Sequence, residues 1–374
     1  MKQIFIFIAA MLVCASCGNK SNMKENIVGN PSTIEIKNAK GFNVRNGGNG
    51  IRLVDVKDPQ KGNSRSYHFA LVPHGNNSKT PDGYTRIEVP IKRTILMTML
   101  QLSNFTALNA HDVVKGITGT KNLFNKDILE RVKRGDIVKI GVEGNFDTEL
   151  VLAANADVIF ISPFKRGGYD AIKESGVPLV PHLGYKELDP LGQAEWIKFV
   201  GMFIGKEKEA NKVFEQIESR YNTLKAKVAK TKEKPTILSG EMHGGNWYAV
   251  GGKNYLAQIF RDAGADYVIH DENTGGVPIE FESLYAKAAN ADYWRILNSF
   301  QGDFSYEALE KSEKRNTLFK AFKERKVIYC NMKRTPYYAI SPVEPDKVLA
   351  DFVAIFHPEL MPDDYKPTFY KLLK

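Results

Sequence analysis

Cationic and aromatic side chains occur side by side where the sequence leaves an apolar, strand-like run. The stretch ISPFKRGGYD places Phe164, Lys165, Arg166 and Tyr169 directly after the run DVIFIS. Guanidinium and ammonium groups bind carboxylates and other oxyanions, and neighbouring glycines let a backbone approach a ligand closely. This combination favours the binding of an anionic ligand over a simple turn.

Similar side chains follow other strand-like runs in both halves of the chain. Ligands of open α/β sheets bind beyond the carboxyl ends of the strands, so we predict that all of these side chains face one gap. They are His182 and Tyr185 in the first half, and His243, Trp247, Tyr248, Lys333, Arg334, Tyr337 and Tyr338 in the second half.

Familiar catalytic motifs do not occur. The sequence has no G-x-S-x-G nucleophile motif, no P-loop and no strand-turn-helix G-x-G-x-x-G motif, and its histidines form no H-x-x-x-H pair. We therefore predict no catalytic residue, no metal ligand and no cofactor. One alternative stays open, an exported enzyme such as a tetrapyrrole chelatase, because His243 lies close to Glu241 in the sequence.

The elements that must position these side chains follow a βα rhythm. Hydrophobic residues make up 43% and charged residues 25% of 374 residues, which is typical of a soluble protein with two domains. After alternating, strand-like segments up to RIEVPIK, strands and helices alternate from Thr94, and this predicts parallel, doubly wound sheets. Helical spacing between Lys206 and Lys230 predicts a long linking helix, and a helix is also expected over Glu313 to Lys323.

The fold class is therefore α/β, with two doubly wound, Rossmann-like lobes joined by one long α-helix and an added β-rich N-terminal segment. We expect the strands of that segment to be added at one edge of a sheet. The predicted boundaries are 31–189 for the first lobe with its β-rich segment, 190–232 for the linking helices and 233–374 for the second lobe.

The N-terminus predicts export and lipidation. The apolar run Ile4 to Val13 is too short to span a bilayer and is typical of a secretory signal peptide. Ala15 and Ser16 precede Cys17 and Gly18 follows it, which resembles the lipobox of bacterial lipoproteins. This predicts a signal peptide over 1–16, a lipid on Cys17 and a flexible tether over 17–30. The net charge of +9 then favours a cationic cleft for an anionic ligand over nucleic acid, which an exported protein does not meet.

Several longer patterns resemble one family. They are GNFDTELVLAANADVIFISP, the long helix, WYAVGGKNYLAQIFRDAGADYV, VPIEFESLYAKAANADYW and FHPEL. From about Pro90 onwards the chain resembles the substrate-binding lipoproteins of ABC importers for iron chelates and cobalamin, in the form found in Bacteroides-type bacteria.

The resemblance implies a ligand held between two lobes by the aromatic and basic side chains. Lys165 and Arg166 would meet negative charge, and Phe164 and Tyr169 would face flat, π-rich parts of the ligand. An iron complex, most simply a ferric siderophore, is the leading expectation. Cobalamin, resting on Trp247, Tyr248 and Phe164, is one alternative, and haem, with Tyr169, Tyr185 or His243 as an axial ligand, is another.

The resemblance also implies partners and a location. The family docks on its permease through one acidic residue per lobe, which corresponds to Glu282 in the second lobe and to Asp170 or Glu174 in the first. We therefore expect a monomeric lipoprotein of the Gram-negative periplasm that contacts a metal chelate, an inner-membrane ABC permease and the membrane, but no nucleic acid.

Overall fold

Four strands at the N-terminal end form a sheet of their own. Strands β1 to β3 are antiparallel, and β4 runs parallel to β3. The strands are β1 (Phe42–Gly48), β2 (Ile51–Val56), β3 (Tyr67–Pro73) and β4 (Thr85–Val89). This computed structural model describes residues 34–60, 65–142, 145–163 and 169–374.

The first lobe is built on a five-stranded parallel sheet with the order β11-β10-β5-β6-β7. A short antiparallel pair, β8 and β9, lies outside that sheet. The elements in chain order are β5 (Thr94–Leu96), α1 (Met99–Ala107), β6 (Val114–Ile117), α2 (Lys126–Arg134), β7 (Val138–Lys139), β8 (Gly141–Val142), β9 (Asn145–Phe146), α3 (Thr148–Ala153), β10 (Val158–Ile161), α4 (Asp170–Lys173) and β11 (Leu179–Pro181).

Two consecutive helices, α5 (Pro190–Ile204) and α6 (Glu207–Val228), connect the sheets. The Asp189 carboxylate caps α5 by accepting the N–H of Leu191 at 2.7 Å, and Gly205, at φ +68°, ends it. Helix α5 is buried along almost its whole length, whereas α6 buries one stripe that includes Phe214, Ile217 and Tyr221.

The second lobe repeats the design. Its main sheet has the order β15-β12-β17-β18-β19, with only β19 antiparallel, and a three-stranded sheet β13-β14-β16 lies beside it. The elements are β12 (Thr236–Ser239), β13 (Glu241–His243), β14 (Asn246–Val250), α7 (Tyr255–Asp262), β15 (Asp266–Tyr267), β16 (Gly276–Ile279), α8 (Phe281–Ala288), β17 (Tyr293–Asn298), α9 (Tyr306–Ser312), α10 (Lys320–Lys323), β18 (Val327–Asn331), α11 (Tyr337–Ile340), α12 (Pro345–Phe356) and β19 (Lys371–Leu372).

The predicted α/β fold class is confirmed, but the structure corrects two details. The N-terminal strands form a sheet of their own and are not added at the edge of a lobe's sheet, because their apolar face packs on α5, where Phe42 meets Trp196 and Phe199 with ring centroids 4.8 and 5.2 Å apart. The helix expected over Glu313 to Lys323 is interrupted at Phe319, whose extended backbone places its ring in the core.

Among the residues that the structure describes, no helix is both long and apolar enough to cross a lipid bilayer.

Candidate functional site

The two main sheets approach each other through helices that follow their carboxyl ends. Helix α1 follows β5 in the first lobe, α11 follows β18 in the second, and the two helices pack together. A cavity of about 250 Å³ lies at this contact, with Met99, Leu102 and Phe124 on one side and Pro336 and Ile340 on the other. A mostly apolar gap between the lobes is therefore present at this point, and none of the predicted binding residues that the structure describes lines it.

A second cavity, of about 220 Å³, continues along the same helix contact. Ser103, Thr106, Ala339 and Ile340 line both cavities. We call the two together the interlobe groove. Its lining consists mostly of small hydroxyl groups and apolar side chains, which offer a surface for the apolar part of a ligand, and its charged member is Glu344.

On the first-lobe side, a buried hydrogen-bond network holds the strand ends. The Gln101 side chain accepts the Met97 N–H at 2.7 Å and donates to the Ser162 hydroxyl at 3.0 Å. The hydroxyl of Tyr169 donates to the Ser162 carbonyl at 2.8 Å, and its ring stacks on Phe146. Tyr169 is thus buried against the strand end and does not project into the interlobe groove.

The two other predicted side chains of the first lobe are also largely withdrawn from solvent. His182 is buried between Trp196, 4.7 Å away between ring centroids, and Phe199. Burial lowers the pKa of His182 to about 3, which keeps the imidazole neutral. Tyr185, in a short 3-10 helix over Gly184–Lys186, is half-buried.

Phe164, Lys165 and Arg166 lie outside the described residues, so their predicted role stays a prediction. A larger cavity, of about 610 Å³, is lined by residues on either side of that stretch, including Pro163, Tyr169 and Lys173, and by the N-terminal sheet. It lies between that sheet and the first lobe, and no residue of α11 lines it.

In the second lobe, the hairpin β13–β14 has one polar and one apolar face. Glu241 pairs with Tyr248 and Met242 with Trp247, so Glu241, His243 and Tyr248 share a face. His243 and Tyr248 are exposed, with ring centroids 6.0 Å apart. Trp247 points the other way into the core, where its indole N–H donates to the Ser239 carbonyl at 2.9 Å. The structure therefore places Trp247 in the core and not at the surface of the groove.

A chain of hydrogen bonds joins this hairpin to the next strand ends. The Asn298 amide donates to Glu241 at 3.0 Å, and the Tyr329 hydroxyl donates to the Asn298 side-chain oxygen at 2.8 Å. Burial raises the pKa of the Glu241 carboxyl, against smaller opposing effects of Asn298, Arg295 and His243. Glu241 thus acts as a support for the strand ends.

The two cations after β18 are exposed. Lys333 contacts the Gln301 side chain, and Arg334 forms an ion pair with Asp303, an exposed carboxylate. Tyr338 is exposed, whereas Tyr337 is buried against Phe369, with ring centroids 5.5 Å apart. We use the term second-lobe cluster for the exposed predicted residues, which are His243, Tyr248, Lys333, Arg334 and Tyr338.

Arg295 is a feature of this lobe that the sequence prediction missed. Its guanidinium is buried in the middle of β17, where Nε donates to the Tyr370 hydroxyl at 3.0 Å and Nη1 to the Ser239 hydroxyl at 3.4 Å. A single charge inside the apolar run YWRIL was the available signal. The apolar lining of the groove gave no such signal, because Leu102 and Ile340 look like ordinary core residues in the sequence.

In the described ranges, no group of three or more His, Cys, Asp or Glu side chains is placed to hold a metal ion.

The acidic residues expected to contact a permease lie on the surface. Glu282 is in the first turn of α8 and has a side chain that is 81% exposed, with Arg315 3.6 Å away. Asp170, at the start of α4, pairs with Lys173, and Glu174 follows the same short helix in an exposed position.

Comparison with known proteins finds one matching family and two similar lipoproteins. The family model for periplasmic binding proteins matches residues 99–333. An uncharacterized lipoprotein of Methanocaldococcus jannaschii is 31% identical over 311 residues, which covers 77% of this chain and 70% of that protein. A second uncharacterized lipoprotein of the same archaeon is 29% identical over 324 residues, covering 82% of this chain and 80% of its own length.

Solved structures with a similar fold come from several bacteria. A periplasmic heme binding protein from Pseudomonas aeruginosa matches with a TM-score of 0.61 at 18% identity, over 76% of this chain and 98% of that chain. A TroA-like periplasmic binding protein, FepB, from Veillonella parvula matches with a TM-score of 0.58 at 18% identity, over 76% and 95% of the two chains. IsdE of S. aureus, solved in complex with heme, has a TM-score of 0.54 at 18% identity, over 71% and 98%.

Proposed function

Because the chain belongs to the periplasmic binding protein family, we propose that it captures an anionic metal chelate between its two lobes and delivers it to an ABC permease. The protein would bind the chelate without changing it chemically. A lipid on Cys17 would hold it at the membrane, and Glu282 with Asp170 or Glu174 would contact the permease.

The observation that carries this proposal is the position of the second-lobe cluster. Two exposed cations, Lys333 and Arg334, lie in the loop between β18 and α11, and residues of α11 line the mostly apolar interlobe groove. A ligand with an apolar body and an anionic rim matches this order of surfaces, since cations bind oxyanions and apolar walls bind flat carbon frameworks. A ferric siderophore with anionic oxygen donors is the first candidate.

Haem is the second candidate, and a specific observation favours it. Tyr248 and His243 lie exposed on one face of the hairpin, and tyrosine and histidine are common protein ligands of haem iron. Two of the structurally similar proteins are described as a heme binding protein and as a heme complex. Cobalamin is less favoured, because Trp247, one of the aromatic residues expected to hold it, is buried.

The test is a parallel titration of the protein with a ferric siderophore, haemin and cyanocobalamin. All three tryptophans are buried, so bound ligand would be detected by energy transfer from their fluorescence. The informative variant is Arg334→Glu. Loss of a charge-assisted contact corresponds to about 1.5–3 kcal/mol, so we expect binding of the anionic chelate to weaken by about tenfold or more.

Arg134→Glu is the matched control. Arg134 and Arg334 are equally exposed, and each pairs with an exposed aspartate, but Arg134 lies on α2, away from the groove. Equal weakening by both variants, or none by Arg334→Glu, would contradict the anionic-rim proposal. If only cyanocobalamin saturates the protein, the ligand is cobalamin and not an anionic chelate. Release of metal from a chelate by the purified protein would favour the chelatase alternative.

A further inference from the structure

One side chain of the N-terminal segment spans the two lobes. The Gln60 side-chain amide donates to the Lys186 carbonyl at 2.7 Å, and its oxygen accepts the Thr274 hydroxyl at 2.8 Å. Lys186 follows β11 in the first lobe, and Thr274 lies in the loop that leads from β15 to β16 in the second. Gln60 therefore joins the two lobes at the side where β11 and β15 are the edge strands.

The first-lobe anchor of Gln60 is firmly held. Lys186 forms an ion pair with Asp58, two residues before Gln60, and both side chains are largely buried. The Gln60 N–H donates to the Asp58 carboxylate at 3.0 Å. The next residue after Lys186, Glu187, accepts the N–H groups of Lys40 and Gly41 at 2.9 and 2.8 Å. The segment from Asp58 to Gln60 is thus fixed to the first lobe.

The second-lobe anchor is equally well packed. Asp271 accepts the Gly252 N–H at 2.8 Å, and the Asn254 side chain donates to the Thr274 carbonyl at 2.7 Å. A Cβ on Gly251 or Gly252 would lie 2.2 or 2.3 Å from a carbonyl oxygen of this loop, so the two segments are in direct backbone contact. Thr274 therefore moves with the second lobe.

We propose that Gln60 is a latch, a reversible hydrogen-bonded link between the lobes that the N-terminal segment adds to the two-lobe fold. Helices α1 and α11 also pack on each other across the lobes, and α6 joins the lobes covalently. A single neutral hydrogen bond at an exposed position, between Gln60 and the half-buried Thr274, breaks and reforms readily, unlike the largely buried ion pair behind it. Lobe separation breaks the Thr274 bond and leaves the Lys186 bond intact.

The latch gives the N-terminal segment a role in ligand exchange, and this part rests on the proposed function. An intact Gln60–Thr274 bond closes the β11/β15 side of the gap between the lobes. Loss of one such bond changes the equilibrium between closed and open lobes by about two- to twelvefold. A bound ligand would then leave faster by up to the same factor.

The experiment measures the distance between the lobes directly. Nitroxide labels on Lys133→Cys in α2 and Glu310→Cys in α9, both exposed positions, report the interlobe distance by pulsed electron paramagnetic resonance in the full-length, detergent-extracted protein. Thr274→Val removes only the hydroxyl, and Gln60→Leu removes both bonds at similar side-chain size. Gln216→Leu, at an exposed glutamine of α6, is the matched control.

We expect both latch variants to show a larger population at long distance, and the control to match the wild type. Unchanged distances in Thr274→Val, or a change of the same size in Gln216→Leu, would overturn the latch. Haemin release, followed by absorbance in the same variants, should accelerate about two- to twelvefold. If the wild type binds neither haemin nor a ferric siderophore, the proposed function fails, whereas the distance measurement still decides on the latch.

Discussion

Glu195 shows how one buried carboxylate can organise a segment of the backbone. Its oxygens accept the N–H groups of Lys37, Asn38 and Ala39 at 3.0, 2.7 and 2.9 Å, and the ammonium of Lys198 at 2.8 Å. Neither charged side chain has appreciable contact with solvent. The position of the chain before β1 therefore depends on this residue.

Replacing Glu195 by Gln should destabilise the protein strongly. The amide removes the charge opposite Lys198 and turns an N–H donor towards groups that are themselves donors. Breaking one side of a buried pair costs about 3–5 kcal/mol of unfolding free energy. Urea unfolding of Glu195→Gln against Glu209→Gln, an exposed glutamate of α6, measures this. A difference below about 1 kcal/mol would mean that the pair contributes little.

His182 leads to a pH prediction. Its folded-state pKa of about 3 lies below the usual value of 6.5, so the unfolded chain takes up the proton first as pH falls. The stability contributed by the neutral imidazole is complete above about pH 6.5 and is lost towards pH 3, at about 1.4 kcal/mol per pH unit. The wild type should therefore lose stability more steeply than His182→Gln between pH 6 and about pH 4. An equal change in the free energy of unfolding of the two proteins over this pH range would contradict the prediction.

At the scale of elements, the hairpin β13–β14 positions two residues of the second-lobe cluster, His243 and Tyr248. The hairpin follows β12 through Gly240, which has φ +107°. A Cβ at Gly240 would lie 2.0 Å from the Tyr248 carbonyl and 2.8 Å from the Trp247 indole nitrogen. Only glycine permits both this backbone conformation and the close approach of β14.

Gly240→Ala should therefore destabilise the protein by at least about 2 kcal/mol and displace His243 and Tyr248. Urea unfolding gives the stability, and haemin or siderophore titration gives the effect on binding. Gly276→Ala in β16 is the control, because its Cβ would meet nothing closer than 3.9 Å. Wild-type stability of Gly240→Ala would show that the hairpin adapts without strain.

For the whole molecule, α6 ties the parts together. Near the start of α6, Glu207 pairs with Arg52 of β2 at 2.8 Å. Further along the helix, Arg220 pairs with Asp346 of α12. The Tyr221 hydroxyl donates to Asp262 of α7 at 2.7 Å. A helix fastened to the N-terminal sheet at one end and to the second lobe along its length limits the lobes to small relative movements. A single breakable link such as Gln60 is suited to such movements.

The predicted attachment to the membrane can be tested by fractionating cells that express the full-length protein. Cys17→Ser should move the protein from the membrane fraction to the soluble extracytoplasmic fraction, because the acyl chains that bind a bilayer stably can no longer be attached. Immunoblotting of the separated fractions reads this out. Equal membrane association of wild type and Cys17→Ser would disprove lipidation at Cys17.

The sequence by itself determined the α/β rhythm and the linking helix, because these follow from local periodicity. The tertiary structure decided which aromatic residues face a ligand. Trp247 and Tyr248 are neighbours in one strand and point to opposite faces, but only the packing of that strand shows which face is buried.

Long-range contacts were likewise invisible in the sequence. The strands of the N-terminal sheet alternate apolar and polar residues, as strands at the edge of any sheet do. Their packing on α5 depends on the position of distant residues such as Trp196. Gln60 and Thr274 are 214 positions apart, and nothing in their local patterns connects them. Periodicity fixes the conformation of a segment, whereas its partner is chosen by the burial of apolar surface across the whole chain.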